Sequence, residues 1–423
     1  DRLKIFHHGK LEADLPVRAL TDEAPKYERV MSPRRGEGET QRRGEGVTAS
    51  PRHSLTALQE DPTASPRHSL TASLKTLLAS PNIASKRWVY EQYDTMVRTN
   101  TAVLPGADAA VIRVKETRRA IAMCLDGNPR YVAYNAKEGA KLAVAEAARN
   151  VVCVGARPIA VTNCLNFASP ERPEVMRSFS DVIDGMKEAC EAFETPVVSG
   201  NVSFYNETEG RGILPTPTIG MIGLIEDTRK IVTHGFKNEG DVIALLGINK
   251  DELSGGEHAR MILGRTTEEL MADGRVPEVD LALEKQVQDT CLRLAEAGLL
   301  HSAHDCSDGG LAVAIAESCF SSLGREAIGA EIKLTSNGVS NEALLFGESA
   351  SRIVISFLAE SLERIKELVS DCPFVEIGTV GYEDLSFAVD GTEAIRESVS
   401  DLQVTWENSL RRRLESGSAT TVS

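Results

Sequence analysis

Thr195–Thr218 reads TPVVSGNVSFYNETEGRGILPTPT. An apolar run from Pro196 to Val198 meets Ser199-Gly200-Asn201, and Val202, Phe204 and Tyr205 follow with Ser203 and Asn206 among them. The pattern predicts a buried strand that ends in a small-residue turn. Such a turn leaves backbone N–H groups free at the strand's carboxyl end, where α/β proteins place ligands. Gly200 has no Cβ and lets the backbone come close to a phosphate. Asn201 offers a neutral amide oxygen, a hard ligand suited to Mg²⁺, and Ser203 offers a hydroxyl. A Gly-Asn turn in a plain hairpin fits the same residues.

On the amino side of this stretch, KEGAKLAVAEAARNVVCVGARP places Ala and Leu at helical spacing and predicts a helix over about 138–152, with Gly155 as its cap and Pro158 beyond. Ile159–Leu165 reads as a buried strand carrying the polar Asn163. Residues 173–193 form a second amphipathic pattern that leads into Thr195. Further upstream, Ser80-Pro81-Asn82 reads as a turn, Ser85 as a helix N-cap, and Ala120–Leu125 as a strand. Leu345–Glu348 followed by Arg352 predicts a structural ion pair.

On the carboxyl side, Pro217–Ile225 returns as an apolar strand. A boundary falls near 228–240, and Asp241–Leu246 opens a second unit. It continues with SGGEHARMILG as a helix, a long helix from Leu281 to Ala297, and HSAHDCSDGGLAVAIAESCF as strand, turn and helix. Strands are expected near Arg352–Phe357 and Val375–Val380, and helices near 359–370 and 392–412. Strands alternating with helices indicate an α/β or α+β unit. Asp305 and Asp308 with Gly309-Gly310 precede a helix N-terminus, a place that favours an anion and equally one where Ser307 or Asp308 caps the helix. His304 and Asp305, adjacent on a strand, point to opposite faces.

The chain has 423 residues, 42% of them hydrophobic, and a formal charge of −15. That charge argues against non-specific nucleic-acid or anionic-membrane binding. Eight cysteines occur with no CxxC pair. Zinc-ribbon and thioredoxin readings therefore fail, and small core residues in a reducing, cytoplasmic setting are expected. Neither G-x-x-x-x-G-K-[ST] nor G-x-G-x-x-G is present. The first residue is Asp1, which leads us to expect a piece of a longer protein. Residues 31–73 are polar and carry TASPRHSLTA twice, at 48–57 and 63–72. They are expected to be a low-complexity, disordered insertion.

Taken in order, SPNIASKRWVYEQYD, MVRTNT, AVAEAARNVVCVGARPIAVTNCLNF, PVVSGNVSFYNET, PTPTIGMIGLI, AHDCSDGGLAVAIAES and LFGESASR resemble the carboxyl-terminal half of the phosphoribosylformylglycinamidine synthase PurL family. The resemblance implies an AIR-synthetase-like unit: an α+β domain contributing strands to a shared barrel, over 74–230, then an α/β domain over 231–412. Residues 1–30 resemble the segment joining that enzyme's two halves, and 413–423 are expected to be a disordered tail. The implied reaction converts formylglycinamide ribonucleotide, ATP and glutamine-derived ammonia to the amidine, with ATP and Mg²⁺ required.

In that family, the position of Asn163 is an aspartate that contacts ATP; here the charge is gone. Gly200 corresponds to a glycine that contacts ATP, Asn201 to a Mg²⁺ ligand, and Ser203 to a substrate contact. The family's catalytic histidine belongs to the amino-terminal half, so no catalytic residue is carried over. Asp305 resembles the counterpart of a metal ligand in that half. Implied partners are the missing amino-terminal half, a glutaminase subunit and a small bridging subunit, with little activity expected from this chain alone. The alternatives are a non-catalytic scaffold half or another ATP-dependent, kinase-like member of the superfamily.

Overall fold

The computed structural model describes residues 2–19, 29–33 and 69–416. Most of the insertion expected over 31–73 lies outside these, as do 20–28 and 417–423. The chain starts as a hairpin, Arg2–His7 paired antiparallel with Lys10–Pro16. His8 and Gly9 both have positive φ, as a tight two-residue hairpin turn requires. Ser69 then caps the helix Leu70–Leu78 by accepting from the Ala72 N–H. The expected start at residue 74 therefore lies inside an ordered helix.

A six-stranded sheet follows, in the order Thr101–Val103, Ala110–Arg113, Ala120–Asp126, Thr216–Ile225, Arg157–Asn166, Val197–Ser203. All pairs are antiparallel except the last, in which Arg157–Asn166 and Val197–Ser203 run parallel. The helices Ala136–Cys153 and Pro173–Phe193 pack on one face only. Ala136–Cys153 is buried almost all round because it touches this sheet, its neighbouring helix and the second unit. Its alanines let those three surfaces approach closely. Asn135 accepts from the Glu138 N–H at its start, and Gly155, at φ 83°, turns the chain at its end.

The second unit is a seven-stranded sheet in the order Ser302–Asp305, Ile353–Phe357, Val242–Leu246, Phe374–Val380, Ala330–Leu334, Asp384–Val389, Thr392–Ser398. One pair, Ala330–Leu334 with Asp384–Val389, is parallel and the rest are antiparallel. Of the two classes the sequence allowed for this unit, the sheet takes the α+β form. Helices cover both faces. Leu70–Leu78, Gly310–Cys319 and Val399–Glu415 pack against Ile243, Leu245 and Val354. Leu281–Ala297 and Leu362–Val369 pack against Ala244, Leu246, Ile353 and Ile355. Strict alternation thus divides two continuous apolar runs between two cores. The cores interlock across the units, because Val152 and Cys153 join the second and Ala259 and Leu270 join the first.

Three expectations are corrected. The helix expected over 392–412 begins as the strand Thr392–Ser398, and only Val399–Glu415 is helical. That helix also passes the tail boundary placed at 413. The strand Val197–Ser203 is neither buried nor broken. It is an exposed edge strand, and Ser199-Gly200-Asn201 runs through it as extended backbone rather than as a turn.

Candidate functional site

The edge position of Val197–Ser203 sets the geometry of the residues read from the sequence. Its inner edge pairs with Arg157–Asn166, aligning Asn163 with Gly200, Cys164 with Asn201 and Asn166 with Ser203. Its outer edge has no strand partner among the described residues. Alternation sends Asn163 to the helix-covered face and Asn201, with Ser199 and Ser203, to the opposite one. The structure therefore brings Asn163 and Gly200 together and sets Asn201 and Ser203 back to back with them. The bare α-carbon of Gly200 is needed because the Asn163 side chain occupies the place where a Cβ would lie.

On its own face Asn163 enters a groove of about 600 Å³ between Val197 and the helix Pro173–Phe193. Ile183, Met186, Cys190 and Pro196 form its apolar walls, and Lys187, Glu191 and Glu194 also line it. On the opposite face, the Ser203 hydroxyl lies within hydrogen-bond distance of the Asn206 amide. Farther along the same face, beyond the strands Arg157–Asn166 and Thr216–Ile225, positions are apolar and open: Ile121, Met123 and Leu125, the last 74% exposed. Ile222 and Leu224 align beside Met123 and Ile121.

A second cleft, of about 430 Å³, lies where the two units meet. Asp108, Asp126, Glu146, Asp305, Asp308 and Glu317 line it. His304 Nδ1 meets Asp108 Oδ1 at 2.8 Å and His304 Nε2 meets Glu317 Oε2 at 3.2 Å. Burial opposes charge on that imidazole, but the two carboxylates outweigh it and hold His304 well above its usual value. Asp305 points the other way, to Arg149 Nε at 2.5 Å, and Arg149 Nη1 reaches Glu284 Oε2 at 2.7 Å. His304 and Asp305 do face apart, as expected. Burial lifts Asp126 to about 6 and, with repulsion from Glu348, Asp308 to about 7.

Two further expectations fail here. Glu348 and Arg352 form no ion pair. Arg352 is fully buried and donates to the carbonyls of Gly347 and Ser349 and to Asn249 Oδ1. Glu348 accepts from the N–H groups of Gly309 and Glu257 and from the Tyr131 hydroxyl. It thus serves the helix N-terminus that Ser307 or Asp308 was expected to cap; the N-cap is Gly309, with no side-chain cap. At the start of the helix Ala136–Cys153, Lys137 pairs with Glu188 at 2.6 Å.

Sequence reasoning missed Arg149, Glu257, Asp126 and Glu146. Buried Glu257 accepts from Ser80 Oγ, Asn82 Nδ2 at 3.0 Å and Arg130 Nη2 at 2.7 Å. It ties the Ser80–Asn82 turn to both units. The available signal was charge inside apolar helical patterns, such as Arg149 in AEAARNVV, since a buried charge needs a partner.

For Mg²⁺, Asn201 supplies one neutral oxygen on an open face, with the hydroxyls of Ser199 and Ser203 on the same side. No group of three His, Cys, Asp or Glu side chains arranged to hold a metal occurs among the described residues. Mg²⁺ keeps six oxygen ligands, several of them water or phosphate. Asn201 fits as one ligand of such a set, and this chain alone does not complete it.

Residues 106–225 match the family model for the AIR synthase related protein, N-terminal domain, and 238–390 match that for its C-terminal domain. The two matches follow the two sheets and together take in more than half of the chain. The chain belongs to the AIR synthase related family. Among AIR synthase related proteins, it is similar to phosphoribosylformylglycinamidine synthase subunit PurL of Alkaliphilus metalliredigens (strain QYMF). The two are 42% identical over 419 residues, spanning 98% of this chain and 53% of the relative. The chain thus spans about half the length of the curated relatives it matches. Its AIR synthase related fold is similar to that of T. maritima PurL complexed with FGAR, with a TM-score of 0.64 at 18% identity over 78% of this chain and 52% of that one. T. maritima PurL complexed with ATP gives 0.60, again at 18% identity over 78% and 52%.

Proposed function

We propose that this chain is the second half of a phosphoribosylformylglycinamidine synthase, an ATP-dependent C–N ligase of purine biosynthesis acting in the cytoplasm. The whole enzyme transfers the γ-phosphoryl group of ATP to the amide oxygen of formylglycinamide ribonucleotide, and glutamine-derived ammonia then displaces phosphate to give the amidine. Phosphoryl transfer needs positioning and charge neutralisation more than covalent help from the protein. Asn163 and Gly200 contact the nucleotide, Ser203 the ribonucleotide, and Asn201 offers one oxygen to a nucleotide-bound Mg²⁺.

The observation that carries this reading is the open sheet face. Asn201 and Ser203 lie on the same face of the sheet as the exposed apolar residues Ile121, Met123 and Leu125, with the strands Arg157–Asn166 and Thr216–Ile225 between them. An apolar surface on the same open face as polar ligand-type residues calls for a partner that covers one and completes the other. The missing amino-terminal half is that partner in our reading, and it would bring the remaining metal ligands and the catalytic histidine. A glutaminase subunit and a small bridging subunit would deliver ammonia. No helix among the described residues is long and apolar enough to cross a membrane.

Calorimetric titration with Mg-ATP, with and without formylglycinamide ribonucleotide, tests this. The chain would be titrated alone and after mixing with the amino-terminal half, beside an Asn201→Ala variant. Synthesis of the amidine is expected only in the mixture, with nucleotide binding weakened by the substitution. A mixture that forms yet binds no nucleotide would favour a non-catalytic scaffold half, a reading to which the uncharged Asn163 and the Arg149–Asp305 pair also lend weight.

A further inference from the structure

One side chain fastens the turn that leaves the edge strand to the turn beside it. Asn206 Nδ2 donates to the carbonyl of Phe167 at 3.0 Å and to that of Ser203 at 2.9 Å. Phe167 follows Arg157–Asn166 and Ser203 ends Val197–Ser203, so the amide ties together the carboxyl ends of two parallel strands. Backbone bonds support the same junction. The Phe167 N–H donates to the Ser203 carbonyl, and the N–H groups of Tyr205 and Asn206 donate to the carbonyls of Ala168 and Phe167. Within this turn Tyr205 is held at φ 60°, a left-handed conformation that bulky residues rarely adopt. Such strain persists where the surroundings over-determine the backbone, and it clusters at ligand sites.

The carbonyls of Phe167 and Ser203 can only accept, so both amide hydrogens of Asn206 are engaged with them. Nδ2 also lies 3.2 Å from the Ser203 hydroxyl but has no hydrogen left for it. The bond to that hydroxyl therefore runs to Asn206 Oδ1, at 3.3 Å, with Ser203 donating. A hydroxyl whose proton is engaged offers its lone pairs. On the open face of the sheet Ser203 is thus an acceptor, and the group it recognises must donate. A phosphate dianion has no proton to give at neutral pH. The amide end of formylglycinamide ribonucleotide must keep its oxygen and carbon open to the γ-phosphoryl group and then to ammonia. The ribose hydroxyls remain.

We propose that Asn206 is a positioning residue, which turns the Ser203 hydroxyl so that its lone pairs accept a hydrogen bond from a ribose hydroxyl of the substrate. The inference rests on reading Ser203 as the ribonucleotide contact. It deepens that reading by naming the substrate group and the side chain that sets the geometry.

The test measures dissociation constants for formylglycinamide ribonucleotide and for Mg-ATP on the chain assembled with its amino-terminal half. The parent, Ser203→Ala, Asn206→Ala and the double variant are compared by calorimetry. Each single substitution is expected to weaken ribonucleotide binding about three- to tenfold, the worth of one neutral hydrogen bond. Mg-ATP binding should stay unchanged, and the double variant should bind the ribonucleotide no more weakly than Ser203→Ala. The 2′-deoxy and 3′-deoxy forms of the substrate identify the donor. The parent should bind one of them about as weakly as Ser203→Ala binds the substrate, and Ser203→Ala should bind that form no worse. Should Asn206→Ala fail to assemble, the isosteric Asn206→Asp, which also lacks both amide hydrogens, takes its place. Effects of the two substitutions that add, or an Asn206 variant that weakens both ligands alike or neither, would overturn the inference while leaving Ser203 as the substrate contact. A Ser203→Ala penalty that persists in full on both deoxy forms would overturn it too. Undiminished ribonucleotide binding by Ser203→Ala would overturn the reading of Ser203 together with the inference.

Discussion

The Asn163 amide lies over the α-carbon of Gly200, in the space a side chain at that glycine would need. The two residues stand side by side on parallel strands. Gly200→Ala is therefore expected to push the amide out of the groove, costing about 1–3 kcal/mol of stability through overpacking. It should also weaken nucleotide binding. Adding Asn163→Ala should restore only part of the stability, because the Asn163 carbonyl oxygen also lies 2.9 Å from the place of the new Cβ, and none of the binding. Thermal denaturation of the four proteins of this cycle checks the first expectation and calorimetry the second.

Arg149 is buried between Asp305 and Glu284, and Glu284 also accepts from Ser351 Oγ and Gln288 Nε2. Removing one partner of a buried ion pair leaves the others uncompensated, at a cost of about 3–5 kcal/mol. Arg149→Met should show that loss in urea unfolding. Combining it with Glu284→Gln should recover part of it, because one of the stranded charges is then gone. A neutral outcome for the single variant would mean that water already screens this junction.

Asp308 is raised from an ordinary 3.8 to about 7, by burial first and then by repulsion from Glu348 and Glu257, with Arg130 and Lys86 opposing. A carboxyl raised in the folded state binds its proton more tightly there than in the unfolded chain. Its contribution to stability is fully present below about 3.8 and is lost as pH rises towards 7. Asp308→Asn should thus gain melting temperature over the parent progressively from acid to neutral pH, with no further gain above. A difference that stays constant across that range would contradict the shift.

Leu125 is 74% exposed on the outer face of the first sheet, in line with Met123 and Ile121. The isolated chain is expected to self-associate through this face. Leu125→Glu should reduce that association and also weaken assembly with the amino-terminal half. Sedimentation velocity on the chain, alone and mixed with that half, provides the measurement. Unchanged assembly in the variant would place the interface elsewhere.

Local pattern was enough for elements whose partners do not alter their period. Pro173–Phe193 and Leu281–Ala297 follow the bounds their amphipathic spacing gives, and Ala136–Cys153 exceeds its expected range by a turn. Thr392–Ser398 was unreadable as a strand because TEAIRES is charged and short. It forms by pairing with Asp384–Val389 across Asp390-Gly391, a turn dipeptide the sequence did contain.

The sequence by itself determined the long amphipathic helices, the apolar strands between them and the residue types available for phosphate and metal. Spacing and propensity are local, and a single chain carries them in full. Only the tertiary structure decided that Gly200 serves the Asn163 side chain and that Asn201 faces away from both. It also decided that Glu348 serves a helix N-terminus rather than Arg352, and that Arg149 neutralises Asp305. Each of these depends on which strand lies beside which and on what burial leaves unpaired. Residues far apart in sequence settle such questions through the free energy of the whole packed arrangement.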